Sequence, residues 1–482
     1  MTARPRPSQF DMARTIAIVG GGLSGALVAI QLLRKASFPL RVAIIEPRAQ
    51  LGRGVAYSTE SAWHFLNVRS GNMSVFPDHP DDFLKYLRAA VSQDSSPRDF
   101  VQRRFFGAYI SERLREASLS AAPGVRLEWC RDNAQRVDLY PEGGTRISLR
   151  DGNVLIADAV VLATGNNPVT VPFDNPDDVE IISGWSASAC EGIDKDETVL
   201  VVGSGLTAVD AVLALAERGH RGKIHVVSRH GRWPLVHQAS RPLTLSSDTL
   251  KQSGTVLAIL RELRALSQQA ESAGDTWQSA FDGFRPHINP VWKRLPEIER
   301  RRFLRHLRPL WEIHRHRLPP QVADRIESFK RSGQLTLLRG SVLDARRAAD
   351  SLTRVRVSSG ANREVQRELS VRRTIVCTGP GLDFRKTAPP IIRDLVDRNL
   401  AKLDPISLGL SVSDDFALLQ ASGAPSSSLF ALGPSIKGSL WETTAVPEIR
   451  TQAQYLAASL VNIARRDSAN SMLSAMPESS AG

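Results

Sequence analysis

The hydrophobic positions along the chain fall into short apolar runs that alternate with helical periodicity, broken by glycine turns. Thr15–Val19 reads as a buried strand, Leu23–Lys35 as a helix that starts directly after three glycines, and Leu40–Ile45 as the next strand. This is the opening of a βαβ unit of a doubly wound parallel sheet. Helical spacing returns at Phe83–Val91 and Phe105–Ala117. Val125–Cys130, Arg136–Leu139, Thr145–Arg150 and Val154–Ile156 then alternate as strands, and the turns Gly143-Gly144 and Asp151-Gly152 predict an antiparallel layer of hairpins. The wholly apolar Ala159–Ala163 stops at Thr164-Gly165.

A Pro/Asn/Asp-rich stretch, 166–178, reads as the start of a linker that runs to 197. Thr198–Val202 begins a second strand, glycine turn and helix, with Ile224–Ser228 as its next strand. From about 231 to 330 mainly helical patterns such as Val256–Leu266 interrupt the α/β alternation, and this is read as an insertion. Strands are predicted at Leu335–Leu338, Thr353–Val357, Arg373–Cys377 and Leu429–Leu432, a helix at Val446–Ala464, and a frayed Ser/Ala-rich tail. The expected fold is α/β. It has a dinucleotide-binding domain in two parts (1–165 and 379–482), interrupted by a second such domain (198–378) that carries the helical insertion.

At 482 residues and 42% hydrophobic content the chain has material for two or three domains with buried clefts. The apolar run Ile16–Leu33 is nearly long enough to span a membrane, but Gly20 to Gly22 break it into strand, turn and helix. The N-terminal Met1–Arg14 is basic and lacks the apolar core of a secretory signal. Three scattered cysteines, Cys130, Cys190 and Cys377, indicate neither a disulfide framework nor a zinc site, and a reducing cytoplasm is the natural setting. The absence of a C-x-x-C pair also removes flavin-linked disulfide chemistry.

Two motifs carry the chemistry. Gly20-Gly21-Gly22-Leu23-Ser24-Gly25 is a G-x-G-x-x-G between strand and helix. Its glycines serve a tight turn, backbone approach to a pyrophosphate and close helix–strand packing, while the helix N-terminus faces the phosphates. Glu46 ends the following strand, where a carboxylate accepts hydrogen bonds from ribose hydroxyls. The second fingerprint, Gly203-Ser204-Gly205-Leu206-Thr207-Ala208, is followed at its strand end by Ser228-Arg229. An arginine there suits the 2′-phosphate of NADPH. A solvated strand-end arginine is the alternative, so NADH stays open.

The order of the two sites fits a flavoprotein in which FAD takes the first and NAD(P)H the second. Val160–Gly165 and Thr374–Gly379 resemble the strand and Thr-Gly turns, at Thr164-Gly165 and Thr378-Gly379, that mark crossings between the domains. Leu429–Pro434 resembles the strand and Gly turn that approaches the flavin. The acidic residue expected after Gly433 is Pro434, so backbone near Gly433 is the substitute contact.

Leu51-Gly52-Arg53-Gly54-Val55-Ala56-Tyr57, His64-Phe65-Leu66-Asn67-Val68, Asn72-Met73-Ser74, Phe284-Arg285-Pro286, Trp292 and His314-Arg315-His316-Arg317 resemble the bacterial NAD(P)/FAD-binding family containing FAD-dependent urate hydroxylase and aspartate N-monooxygenase. The resemblance covers most of the chain. It implies a monooxygenase in which NAD(P)H reduces FAD and O₂ then supplies oxygen to a small anionic substrate. Urate hydroxylation to 5-hydroxyisourate, in purine catabolism, is the first expectation, and N-hydroxylation of an amino acid such as aspartate the second. A non-catalytic flavin-binding redox sensor is the alternative of another class.

By the same resemblance Arg53, His64 and Asn67 lie beside the flavin as candidate catalytic residues. His64 is either a hydrogen-bond donor and proton shuttle or a packed histidine between Trp63 and Phe65, and Asn67 either a contact or a turn residue. The net charge of +12 is densest from Lys293 to Arg317. That stretch is read first as a solvated amphipathic helix face with Phe303, Leu307 and Trp311 buried, and second as an attractor of anions. Without a nucleic-acid motif it does not indicate nucleic acid, and alternating His and Arg disfavour a metal.

Overall fold

The computed structural model describes residues 13–141, 143–174, 179–186, 188–245, 254–350, 352–358 and 365–474. Of the N-terminal stretch read as lacking a secretory signal, residues 1–12 lie outside the described residues, as does the Ser/Ala-rich tail from 475.

Strands whose every residue is apolar need cover on both faces, which a parallel sheet flanked by helices provides. The first sheet has six strands in the order Ala417–Leu419, Pro425–Ala431, Ala159–Leu162, Arg14–Val19, Leu40–Ile45, Val125–Cys130. All pairings are parallel except that of the first two strands. Ile16, Ala17 and Ile18 are at most 1% exposed. Helix Leu23–Lys35 packs on this sheet beside helices Arg103–Leu119 and Val446–Ser474.

The second sheet is wholly parallel, in the order Leu335–Arg339, Ile224–Ser228, Val199–Val202, Arg373–Val376, Ile181–Ser183. Two antiparallel three-stranded sheets, 134–157 and 341–371, are appended. The fold is therefore the expected α/β pair of dinucleotide-binding sheets, with the second inserted in the first.

Three local readings change. Val125–Cys130 is not a hairpin strand but an edge strand of the first sheet, in parallel register with Leu40–Ile45. Its alternation of side chains is shared by both kinds of strand, and the partner is fixed by a two-pronged Arg41–Glu128 ion pair at 2.5–2.6 Å. Within the stretch read as linker, Ile181–Ser183 supplies the edge of the second sheet, too short to register as a periodic signal. Pro320–Arg331, counted with the insertion, packs Val322, Ala323, Ile326 and Phe329 into the core of the second sheet as its crossover helix.

The remaining insertion helices, Val256–Ser272, Gln278–Phe284, Ile288–Arg294, Glu297–Arg302 and Arg308–Arg315, form their own core with Ile406, Leu408 and Trp441. They are bolted to the C-terminal segment. Arg285 pairs with Glu448 at 2.6 and 2.7 Å, Arg315 with Glu442 at 3.0 and 2.9 Å, and Trp292 donates to the Gly438 carbonyl at 2.8 Å.

Candidate functional site

The two fingerprints are built alike. Gly20 has φ +104°, and a Cβ there would lie 2.3 Å from the Ala163 carbonyl oxygen; Gly203 has φ +108°, and its Cβ would lie 2.4 Å from that of Cys377. Each first glycine thus touches the strand that ends in a Thr-Gly turn, at Thr164-Gly165 and Thr378-Gly379. The sixth position differs. A Cβ on Gly25 would sit 1.9 Å from the Gly20 carbonyl oxygen, whereas Ala208 is accommodated and fully buried.

In the first site Gly22 caps helix Leu23–Lys35, whose first turn holds neither an acidic residue nor a side-chain cap. Its dipole and first N–H groups suit a phosphate. Gly22 faces Gly54 with only 3.5 Å from a hypothetical Cβ to the Gly54 Cα, so Gly54 closes over the glycine loop. Glu46 is 3% exposed and accepts from the backbone N–H of Gly21 and of Arg48, at 2.9 and 3.0 Å. A carboxylate has about four acceptor sites, so capacity for ribose hydroxyls remains. Gly433, at φ +84°, leans on Ser24, whose Oγ would lie 2.4 Å from a Cβ there. Two buried hydroxyls, Thr164 Oγ1 and Ser435 Oγ, lack a partner. Buried polar groups are nearly always paired, so these orphans beside the glycine loop and the Gly433 turn fit a polar cofactor.

In the second site Gly205 caps helix Leu206–Glu217, again with no acidic residue in the first turn, and a Cβ on it would meet open space. Ser204 donates to the Arg232 carbonyl at 2.6 Å, which holds the 228–232 turn against the fingerprint. Arg229 and Arg232 are exposed there, and Gly231, at φ +57°, approaches Arg339. Partial burial and these three arginines hold His230 below the usual imidazole range. The strand end concentrates positive charge. Hydrogen bonds to charged groups contribute about 1.5–3 kcal/mol, so Arg229→Ala is expected to raise the KM for NADPH by about tenfold or more and to leave that for NADH nearly unchanged. Equal losses in steady-state assays with the two coenzymes would overturn the phosphate role.

The three residues expected beside the flavin part company. His64 Nε2 donates to the Asp210 carbonyl at 3.0 Å, and Nδ1 faces the Thr59 hydroxyl at 2.7 Å. Both ring nitrogens are engaged, and this is the geometry of a satisfied, positioning histidine. Arg103 adds a forked pair to the Asp210 carboxylate at 2.6 and 3.2 Å. Asp210 lies on the helix of the second fingerprint, so His64 and Arg103 clasp that helix to the first half. Arg53 pairs with Glu60 at 3.1 Å, while its Nε is buried without a partner. The Asn67 carbonyl accepts from His237 Nε2 at 2.9 Å, and burial with the nearby Arg317 pushes His237 down to about 4.

Sequence reading missed a cluster of charges between the helix Arg308–Arg315 and the chain after Gly433. Arg308 pairs with Glu312 at 3.0 Å, and Lys437 lies 4.4 Å over the Trp441 ring. Burial, with Arg315 adding repulsion, pushes His316 down to about 4; burial also holds Lys437 below the usual lysine range. Burial raises Glu312, but Arg308, Lys437 and His316 outweigh it and hold its carboxyl low. The solvated-face reading of 293–317 thus fails at its C-terminal end. Arg315 and Arg317 are 8% and 3% exposed and paired with Glu442 and Asp282. The run His-Arg-His-Arg was the available signal, since consecutive cations with carboxylates elsewhere in the chain also arise where charges are buried in pairs. Phe303, Leu307 and Trp311 are half-buried against the insertion core.

Residues 17–167 match the model of an FAD-NAD(P)-binding family. An NADH oxidase of Thermoanaerobacter brockii is 32% identical over 108 residues, which span 21% of this chain but only 17% of that protein. Among solved structures, a cadaverine monooxygenase of desferrioxamine biosynthesis from Erwinia amylovora, bound to FAD, superposes with a TM-score of 0.64 at 12% identity, covering 94% of this chain and 95% of its own. An ornithine N-hydroxylase from Kutzneria sp. 744, with reduced FAD, NADP⁺ and L-ornithine, gives 0.61 at 15%, covering 94% and 99%. The chain has the two-nucleotide fold of FAD/NAD(P)-binding oxidoreductases. Among the described residues no helix is long and apolar enough to cross a membrane, and no His/Cys/Asp/Glu group is arranged to hold a metal.

Proposed function

We propose that this chain is an FAD-dependent, NAD(P)H-consuming monooxygenase that N-hydroxylates a small amine bearing a carboxylate. The observation that carries the reading is the charge cluster beside the Gly433 turn, where Lys437, Arg308 and Glu312 bring both signs of charge together. Lys437 and Arg308 suit a carboxylate and Glu312 an ammonium group. His316, neutral at physiological pH, adds no repulsion against the amine. The ornithine and cadaverine enzymes of like fold act on amines, which favours this chemistry over ring hydroxylation.

FAD, when bound, supplies the activation of O₂. The chain's own part is to hold it through Gly20, Gly22, Leu23, Ser24, Gly25 and Glu46, with Thr164, Gly165 and the Gly433 turn on the far side. Gly203, Gly205, Gly379 and Arg229 hold NAD(P)H, and the His64–Asp210–Arg103 clasp sets the second site against the first. Arg53 and Asn67 are the loop residues left to meet the flavin. The Trp441 ring under Lys437 also suits a planar anion, which keeps urate hydroxylation as the second reading.

One experiment separates them. FAD-loaded protein is mixed with NADPH and O₂ in the presence of ornithine, aspartate, cadaverine or urate. Hydroxylamine formed from ornithine or aspartate in step with NADPH oxidation supports the first reading, from cadaverine alone it overturns the carboxylate in that reading, and 5-hydroxyisourate supports the second. Turnover yielding only H₂O₂ with all four sinks both, and failure of NAD(P)H to bleach the flavin would point to a redox sensor.

A further inference from the structure

The insertion forms a half-open pocket of about 320 Å³ that shares none of Arg308, Glu312, His316 and Lys437. Its walls include Trp277, Phe281, Phe284, Trp292, Trp311 and Trp441. Protein interiors are normally packed to the density of organic crystals, with few voids larger than a water molecule. An apolar, ring-lined pocket of this size left unfilled by the surrounding helices points to an occupant. It is roughly twice the ~150 Å³ of an apolar cavity that stays dry and takes up benzene.

Three of the polar atoms on its walls are already committed. Trp292 Nε1 donates to the Gly438 carbonyl at 2.8 Å, His314 Nδ1 to the Leu310 carbonyl at 2.7 Å, and Ser267 Oγ to the Leu263 carbonyl at 2.7 Å. Arg264 is exposed at the rim. Its walls are mainly aromatic and aliphatic, so most polar atoms of a charged ligand would go unpaired here, which disfavours the amino acids and urate considered above.

The rings are also arranged for stacking. Trp292 and Trp441 stand 4.9 Å apart, and His314 lies parallel to Phe281 at 5.2 Å while meeting Trp277 edge-on at 4.9 Å. Such offset and edge geometries extend naturally to another aromatic ring. The wall contains the π-helical turn Phe303–Leu307, and both end residues line the cavity. Turns of that kind gather at functional sites.

We propose that this cavity is a binding site for a neutral, apolar ligand carrying a fused two-ring aromatic group of indole or naphthalene size. The site stands apart from the nucleotide sites and does not depend on the monooxygenase reading. Trp441 is the wall nearest the charge cluster, because Lys437 packs on the same ring.

The test is calorimetric titration of full-length, FAD-loaded protein with indole and with 2-naphthol. Saturable binding at one site per chain is expected. Ile259→Trp and Leu263→Phe, which fill the cavity from helix Val256–Ser272, are each expected to weaken it at least tenfold with flavin content unchanged. Absence of saturable binding to the wild-type chain overturns the proposal, as does undiminished binding by a folded filled variant. Should Ile259→Trp fail to fold, the smaller Leu263→Phe decides.

Discussion

Replacing Glu442 alone by leucine is expected to destabilise the protein by about 3–5 kcal/mol, because it strands the Arg315 guanidinium without its counter-ion. Both side chains are under a tenth exposed and meet through two hydrogen bonds. Asn289 further fixes the Glu442 backbone, accepting from its N–H at 2.8 Å and donating to its carbonyl at 2.9 Å. The double variant Arg315→Met/Glu442→Leu is expected to recover most of the loss, since a buried pair gains little over apolar packing. Denaturant unfolding of the two single variants and the double variant measures the coupling directly. Recovery no better than the sum of the single losses would show that the pair is not the source.

The pair also predicts a pH dependence. Burial pushes the Glu442 carboxyl up, but Arg315, His316 and Arg285 together hold it below its ordinary value. A group whose pKa is lowered by folding contributes stability that is present above the unfolded value, about 4.3 for Glu, and is lost as pH falls through the folded one. The wild-type Tm is therefore expected to fall on acidification below about pH 4 more steeply than that of the double variant.

The second large effect concerns the first fingerprint, where two glycines are expected to fail differently. Gly25→Val drives a Cβ to 1.9 Å from the Gly20 carbonyl oxygen, backbone against backbone, and is expected to abolish folding. Gly22→Val meets only Gly54, with a Cβ at ordinary contact distance, so the chain should fold. Its branched side chain would occupy the approach that a pyrophosphate needs, between the glycine loop and the helix N-terminus. The expected product is a soluble, colourless protein with near-native circular dichroism and no retained FAD. A yellow Gly22→Val protein with full flavin content would overturn the assignment of this loop to the cofactor.

Much of this architecture is legible in sequence because each parallel strand is a short apolar run ending in a glycine turn, and because glycines at fixed offsets have few other uses. Gly20 and Gly203 could be placed before any coordinates for that reason. The partner of Val125–Cys130 could not, since alternation reports exposure and not which strand lies alongside. Ile181–Ser183 was hidden by its length. The charge cluster was hidden for a different reason: Arg308, Glu312 and His316 come near Lys437 and Glu442 across more than 120 residues of chain, and only the docking of the insertion brings them together. His64 shows the converse, a residue prominent in a motif whose ring the fold uses up in a tie to Asp210.

That tie has a kinetic meaning. Asp210 is held by its carbonyl through His64 and by its carboxylate through Arg103, while the Leu206–Glu217 helix that carries it also presents its N-terminus to the second nucleotide. Any swing of one half against the other must release both grips together. In an enzyme of the proposed kind the clasp would act as a detent, and the frequency of its release would bound how often the spent nicotinamide is exchanged by a route that needs the halves to part.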